Sequence, residues 1–230
     1  MGRALMRSDG FTESASGARR TVDAGRVLYH AGAACEAIYV VETGFFKTVV
    51  LSEDGAAQVT EFPMSGDVMG LDGFGPGIHR SDAVALSRAT VCVVPRTRLV
   101  KACASDEGLA RQLYAALSEA IVADHRAMLL LGSRTAEERV ASFIIETAER
   151  LSARGYATTD IGLWMTREDI GSFLGLELET ISRVLGRLQR RRLVDVHRRH
   201  LHVVDGEALR RLVAGELDES TAADAVGSRR

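Results

Sequence analysis

Hydrophobic positions in this chain follow two rhythms, which change over between about residues 94 and 109. From Thr21 to about Val94, short apolar runs (Val27-Leu28-Tyr29, Ala37 to Val41, Phe45 to Leu51, Gln58 to Phe62, Val91 to Val94) are separated by turns. Gly25, Gly32, Gly44, Gly55, Gly66, Gly70 and Gly73 punctuate them, and Glu53-Asp54-Gly55 has the composition of a hairpin turn. The pattern predicts an antiparallel sheet domain closed as a roll or barrel.

Beyond it the period lengthens to that of helices. Leu109 to about Ser133 carries no Gly or Pro before Gly132, and its seam is Ala110, Tyr114, Leu117, Ile121, Asp124, Met128 and Leu131. Steps of four and three suit a coiled-coil interface, although packing on the chain's own sheet would bury the same stripe. Asp124 is the polar exception. Two such acids facing each other would repel by up to about 4 kcal/mol at an effective dielectric near 20, unless Asp124 pairs with a base such as Arg126 or turns to solvent. The expectation is a dimer helix whose pairing Asp124 makes conditional.

Ala136 to Arg154 is the next helix, with Val140, Phe143, Ile144, Ala148 and Leu151 on one face and Gly155 placed to stop it. Thr166-Arg167-Glu168-Asp169 has the form of a capping box, opening a helix that buries Ile170, Phe173 and Leu174. Gly175 permits a turn, and Leu176, Ile181, Val184, Leu185 and Leu188 form the inward stripe of a second helix. Glu179, Ser182 and Arg183 are left pointing outward on its early turns, where a helix-turn-helix meets base edges. An arginine can bond guanine in bidentate fashion, a carboxylate can accept from a cytosine amine, and a serine can bond or pack against either neighbour. A simple i,i+4 pair between Glu179 and Arg183 is compatible with this, since it would orient the arginine.

Charge sharpens the picture. The whole chain has a formal net charge of -2, yet between Gly186 and His202 six arginines face one acid, Asp195. Leu193 to Val196 and Leu201 to Val204 predict two strands of a wing around His197-Arg198-Arg199-His200. Thr180, Arg187, Arg190, Arg191, Arg198 and Arg199 are the expected phosphate and wing contacts, a sequence-independent electrostatic grip. The 46% hydrophobic and 26% charged composition is that of an ordinary globular chain.

Three widely spaced cysteines without a CxxC pair argue for reduced thiols rather than a disulfide framework or structural zinc. Met1 to Gly17 lacks the apolar stretch of a signal peptide, and no run reaches roughly 18 apolar residues. A cytoplasmic location without a membrane partner is expected. No P-loop, GxSxG or HExxH motif points to an enzyme.

Met165-Thr166-Arg167-Glu168-Asp169-Ile170-Gly171, Leu174-Gly175-Leu176, Glu179-Thr180-Ile181-Ser182-Arg183 and Leu185-Gly186-Arg187 together resemble the bacterial catabolite activator and fumarate-nitrate regulator (Crp/Fnr) superfamily, particularly its fumarate-nitrate branch. Leu129-Leu130-Leu131, Ala136-Glu137-Glu138-Arg139 and Gly66-Asp67 extend the likeness to roughly Thr21 to Leu212. The resemblance implies a homodimeric transcription regulator that reads a palindrome on double-stranded DNA, with TTGAT-like half-sites, and contacts RNA polymerase as an activator. Glu179, Ser182 and Arg183 match the branch's base-reading trio. Oxygen-sensing members hold an iron-sulfur cluster on N-terminal cysteines plus one in the roll; Cys92 matches the latter, but no cysteine precedes Cys35, so a 4Fe-4S cluster, which takes about four thiolates, is not expected. Cys92 reads instead as a buried core cysteine.

Nucleotide-binding members hold ribose with a glycine-glutamate pair and phosphate with an arginine-serine pair. Arg80-Ser81 match the second, whereas Gly70 is followed by Leu71, with Asp72 one position late. Gly70, Leu71, Arg80 and Ser81 are the candidate effector pocket, with cyclic AMP open but not favoured. His30, His79 and His125 lack ligand spacing, so no metal is assigned; Cys35 and Cys103 would sense oxidants only if exposed with lowered pKa.

The fold expected is α+β: a flexible tail to residue 20, an antiparallel β-roll of the cyclic-nucleotide-binding jelly-roll type over 21–107, a long dimerisation helix over 108–134, a winged helix-turn-helix over 135–212 and a flexible tail over 213–230. A ligand-binding scaffold without DNA is the alternative, and leaves the Glu179 to Arg183 arrangement unexplained.

Overall fold

The computed structural model describes residues 17–52, 55–156 and 159–216, in two compact units that divide between Arg126 and Ala127. The expected turn at Glu53-Asp54 and most of both expected tails lie outside the described residues.

The first unit is built on eight strands: β1 (Ala18–Val22), β2 (Val27–Tyr29), β3 (Ala37–Thr43), β4 (Phe46–Leu51), β5 (Ala57–Glu61), β6 (Val68–Met69), β7 (Asp82–Ala85) and β8 (Ala89–Pro95). They form two four-stranded antiparallel sheets, ordered β1-β8-β3-β6 and β2-β7-β4-β5. Val22, Leu28, Tyr29, Val41, Phe46, Met69, Ala83, Ala85 and Val91 join the sheets through one buried cluster. Successive side chains of a strand point to opposite faces, so Ile38, Val40, Cys92 and Val94 face the other way. They pack with Leu99 of α1 (Arg96–Ser105) and with Leu109 and Leu113 of α2 (Glu107–Ser133). The first sheet is thus covered on both faces, which is why β3 and β8 read as unbroken apolar runs.

Four of the elements named for this unit were not foreseen. β1 occupies residues 18–22, starting inside the stretch to residue 20 expected as tail, because Ala18-Arg19-Arg20-Thr21 is an exposed edge paired through its backbone with β8. β6 is two residues long, and β7 is the small, partly polar Asp-Ala-Val-Ala. The helix α1 buries only Leu99 and so shows almost no periodicity.

The second unit starts in the last turns of α2. A capping box closes the N-terminus of α3 (Ala136–Ser152), in which Thr135 accepts from the Glu138 amide and Glu138 accepts from the Thr135 amide. Next come β9 (Asp160–Gly162), α4 (Arg167–Leu174), α5 (Leu178–Arg190), β10 (Val194–His197), β11 (His200–Val203) and α6 (Gly206–Val213). β9, which carried no sequence signal, completes a three-stranded sheet ordered β10-β11-β9. The expected box at α4 is present: Thr166 Oγ1 accepts from the Asp169 amide, and Asp169 accepts from the Thr166 amide and hydroxyl.

Two glycines set the α4–α5 turn. Gly175 ends α4 at φ 62°, in the left-handed region. Gly171 lies so close to the turn that an added Cβ would come within 2.5 Å of the Leu176 carbonyl oxygen, a backbone atom that cannot swing away. The Leu176 amide donates to the Gly171 carbonyl, locking that approach. Arg139 braces the same region from α3. It donates to the carbonyls of Arg134, Leu174 and Leu131, so one guanidinium satisfies carbonyls at the ends of both α4 and α2.

Replacing Gly171 with Ala is expected to cost several kcal/mol, on the order of 2–4, because the crowded atom is backbone. Gly186→Ala, whose nearest neighbour is the flexible end of Arg190, should instead gain about 0.5–1 kcal/mol. Urea unfolding of the two variants would show opposite shifts of midpoint.

Candidate nucleic-acid interface

The second helix of the turn, α5, divides its faces cleanly. Ile181, Val184, Leu185 and Leu188 are buried against the unit's core, which leaves Glu179 and Arg183 exposed and Ser182 half-buried on the outer side. The three residues expected to read bases therefore share one outward face. Arg183 donates to Thr180 Oγ1 at 3.1 Å rather than pairing with Glu179, so its orientation comes from a hydroxyl one turn back. Arg167, at the start of α4, donates to Ser182 Oγ at 3.3 Å. Sequence reasoning passed over Arg167 as part of a cap, although its position at the first turn of α4 places it beside α5.

Ser182, Arg183, Gly186, Arg187 and Arg190 line a shallow open cavity of about 280 Å³ on this face. Three guanidinium groups around a groove floored by a glycine form a surface suited to a polyanion. The wing continues it. Strand β10 pairs antiparallel with β11, and the connecting residues Arg198 and Arg199 are exposed at the tip. Arg198 holds φ 52°, a left-handed conformation that side-chain-bearing residues adopt at a cost of about 1–3 kcal/mol.

Arg191 departs from its expected role as a phosphate contact. Its guanidinium reaches inward to Glu137 Oε1 at 2.6 Å, with both side chains largely buried, and Arg187 approaches the same carboxylate at 3.8 Å. The pair ties the end of α5 to the first turn of α3. The arginine run Arg190-Arg191-Arg192 concealed this because α5 turns one of the three toward the core while its neighbours stay out.

The long helix α2 also has two faces. Leu109 and Leu113 are buried on the roll's cluster, with Ala116 and Leu117 packed beside them, so Leu117 serves the chain's own core and not a free seam. Tyr114, Ile121, Met128 and Leu129 are each more than half exposed, and Leu131 is exposed as well. Of the expected seam, Tyr114, Ile121, Met128 and Leu131 are its uncovered apolar part, with Leu129 exposed beside them. Asp124 is exposed and lines a cavity of about 380 Å³ that also takes in Gly70, Leu71, Arg80 and Ser81, the four residues expected to form an effector pocket.

In that cavity Asp72 Oδ2 accepts from the Arg80 amide and the Ser81 hydroxyl, both at 2.9 Å, while Oδ1 accepts from the Gly73 amide. Burial pushes the thiols of Cys35, Cys92 and Cys103 above their ordinary pKa, which lowers the thiolate fraction and speaks against the expected alternative of oxidant sensing at Cys35 and Cys103. Cys92 is buried in β8, as a core cysteine would be. Among the described residues no three His, Cys, Asp or Glu side chains gather as metal ligands.

A family model described as the Crp-like helix-turn-helix domain matches residues 138–212, and one described as the cyclic nucleotide-binding domain matches residues 19–106. The chain is 36% identical over 197 residues to the electron transport regulator A of Shewanella oneidensis, covering 86% of this chain and 78% of that protein. It is 35% identical over 194 residues to the fumarate and nitrate reduction regulatory protein of Escherichia coli K12, covering 84% and 78%. The structure of FixK2 from Bradyrhizobium japonicum superposes with a TM-score of 0.79 at 33% identity, covering 85% of this chain and 96% of that one.

Glu137→Gln removes the charge that neutralises Arg191 while keeping the shape. It should destabilise the second unit by about 1–3 kcal/mol, whereas Arg190→Gln, at an exposed position, should stay within about 0.5 kcal/mol. Denaturant melts of the two variants check this.

Proposed function

Because the chain belongs to the Crp/Fnr family of DNA-binding transcription regulators, typified by its relatives in the fumarate-nitrate branch, we propose that it acts as a cytoplasmic homodimer on palindromic promoter sites with TTGAT-like half-sites. In this reading the roll, residues 21–107, takes the signal; the helix of 108–134 pairs two chains; and the winged helix-turn-helix of 135–212 enters the major groove. Bound dimers activate transcription through contacts with RNA polymerase. The relatives place the chain among regulators and not enzymes. Among the described residues no helix is long and apolar enough to cross a membrane.

The observation that carries this reading is the shared outward face of Glu179, Ser182 and Arg183 beside an arginine-lined groove. Arg183 is assigned to guanine, Glu179 to a cytosine amine and Ser182 to the adjoining base, each good contact contributing about 1–3 kcal/mol of discrimination. Thr180, Arg187, Arg190, Arg198 and Arg199 grip phosphates. Support for pairing comes from Tyr114, Ile121, Met128 and Leu129, since burying one large apolar side chain contributes roughly 1.5–3 kcal/mol. Asp124 opposes that pairing and makes it conditional on a signal.

Gel shifts on a TTGAT palindrome and a scrambled control test the assignment. Arg183→Ala should lower affinity for the palindrome and narrow its advantage over the control, whereas Arg198→Ala should weaken both about equally and reduce the salt slope by about one. Equal binding of the unaltered protein to both DNAs would remove the proposal's basis. For Asp124→Ala, analytical ultracentrifugation should show tighter dimerisation; an unchanged dimerisation constant together with unchanged DNA binding would overturn its assigned role.

A further inference from the structure

The match to a cyclic nucleotide-binding domain implies a ligand whose phosphate must be held, so the donors of the roll's cavity are the place to test that implication. The Arg80 amide and the Ser81 hydroxyl converge on one point, 2.9 Å from each, with the Arg80 side chain among the groups lining the cavity. An amide and a hydroxyl on one oxygen position, with a guanidinium elsewhere in the same lining, is the chemistry of phosphate recognition. Here that position already holds an anion from the chain itself. Asp72 Oδ2 receives both donors, Oδ1 receives the Gly73 amide at 2.9 Å, and the buried His79 ring lies 3.6 Å from the same carboxylate.

We infer that Asp72 is a resident anion: its carboxylate fills the seat at which this cavity would otherwise bind the phosphate of a ligand, and so closes the roll to cyclic nucleotides and other phosphate esters. An incoming phosphate must either displace the carboxylate from three hydrogen bonds or lie against it as a like charge. Glu61 and Asp124 add two more carboxylates to the lining, against Arg80 as the single guanidinium among the described residues that line it. Leu71, which follows Gly70, packs into the helix-side cluster and offers a sugar no acceptor. The residues present therefore do not fit a cyclic nucleotide. This conclusion concerns the roll alone and stands whether or not the DNA assignment holds.

The test uses the full chain. Isothermal titration and thermal melts with cyclic AMP, and separately with inorganic phosphate against chloride at matched ionic strength, should show no binding by the unaltered protein up to about 1 mM. Asp72→Ala vacates the seat, and its melting midpoint should rise in phosphate but not in chloride; adding Ser81→Ala should abolish the rise. Should Asp72→Ala fail to fold, Asp72→Asn removes the charge and keeps only one acceptor oxygen, so its NH2 group faces at least one of the three donors and the seat is held less firmly. It should bind phosphate at least about tenfold more tightly than the unaltered protein. Binding of cyclic AMP by the unaltered protein with a Kd below about 100 μM, or the absence of any gain in both Asp72 variants that fold, would overturn the inference.

Discussion

A missing side chain at one position governs how this protein presents the outer face of α5. The turn between α4 and α5 passes so close to Gly171 that the Leu176 carbonyl occupies space any other residue would need. With that approach made, the buried stripe from Ile181 to Leu188 can seat on the core, and only then do Glu179, Ser182 and Arg183 face outward together. Arg139 secures the neighbouring helix ends by filling three carbonyls. The polar face of α5 is thus a by-product of how its apolar face is packed.

How much of this could be read from the sequence follows from where the free energy lies. The helix-turn-helix was legible because its stripe, capping box and turn glycine each have a local cause, and all three agree at Thr166, Gly175 and Ile181. The strands β3, β4 and β8 were legible because they are strongly apolar. By contrast, β1 and β9 are held by backbone pairing to partners far away in the chain, and nothing in their own residues signals this.

The candidate sites divide along the same line. The four pocket residues Gly70, Leu71, Arg80 and Ser81 do meet in one cavity, but Asp72, which decides what the cavity accepts, stood out only as an acid one place too late. On α2, periodicity marked a stripe yet could not say that Leu117 faces the roll while Tyr114 and Ile121 face away. Within the arginine run, the sign of the charge was plain and the direction of each side chain was not. Arg191 points inward because Glu137, more than fifty positions earlier, waits there.

That inward arginine separates two populations of positive charge by their sensitivity to dissolved ions. Arg183, Arg190, Arg198 and Arg199 stand in water, where counterions at physiological strength shield charges beyond about 8 Å. The Glu137–Arg191 pair is largely enclosed and feels little of that shielding. Raising the electrolyte concentration should therefore loosen any bound polyanion while α5 stays anchored, so release would leave its outer face intact for the next encounter.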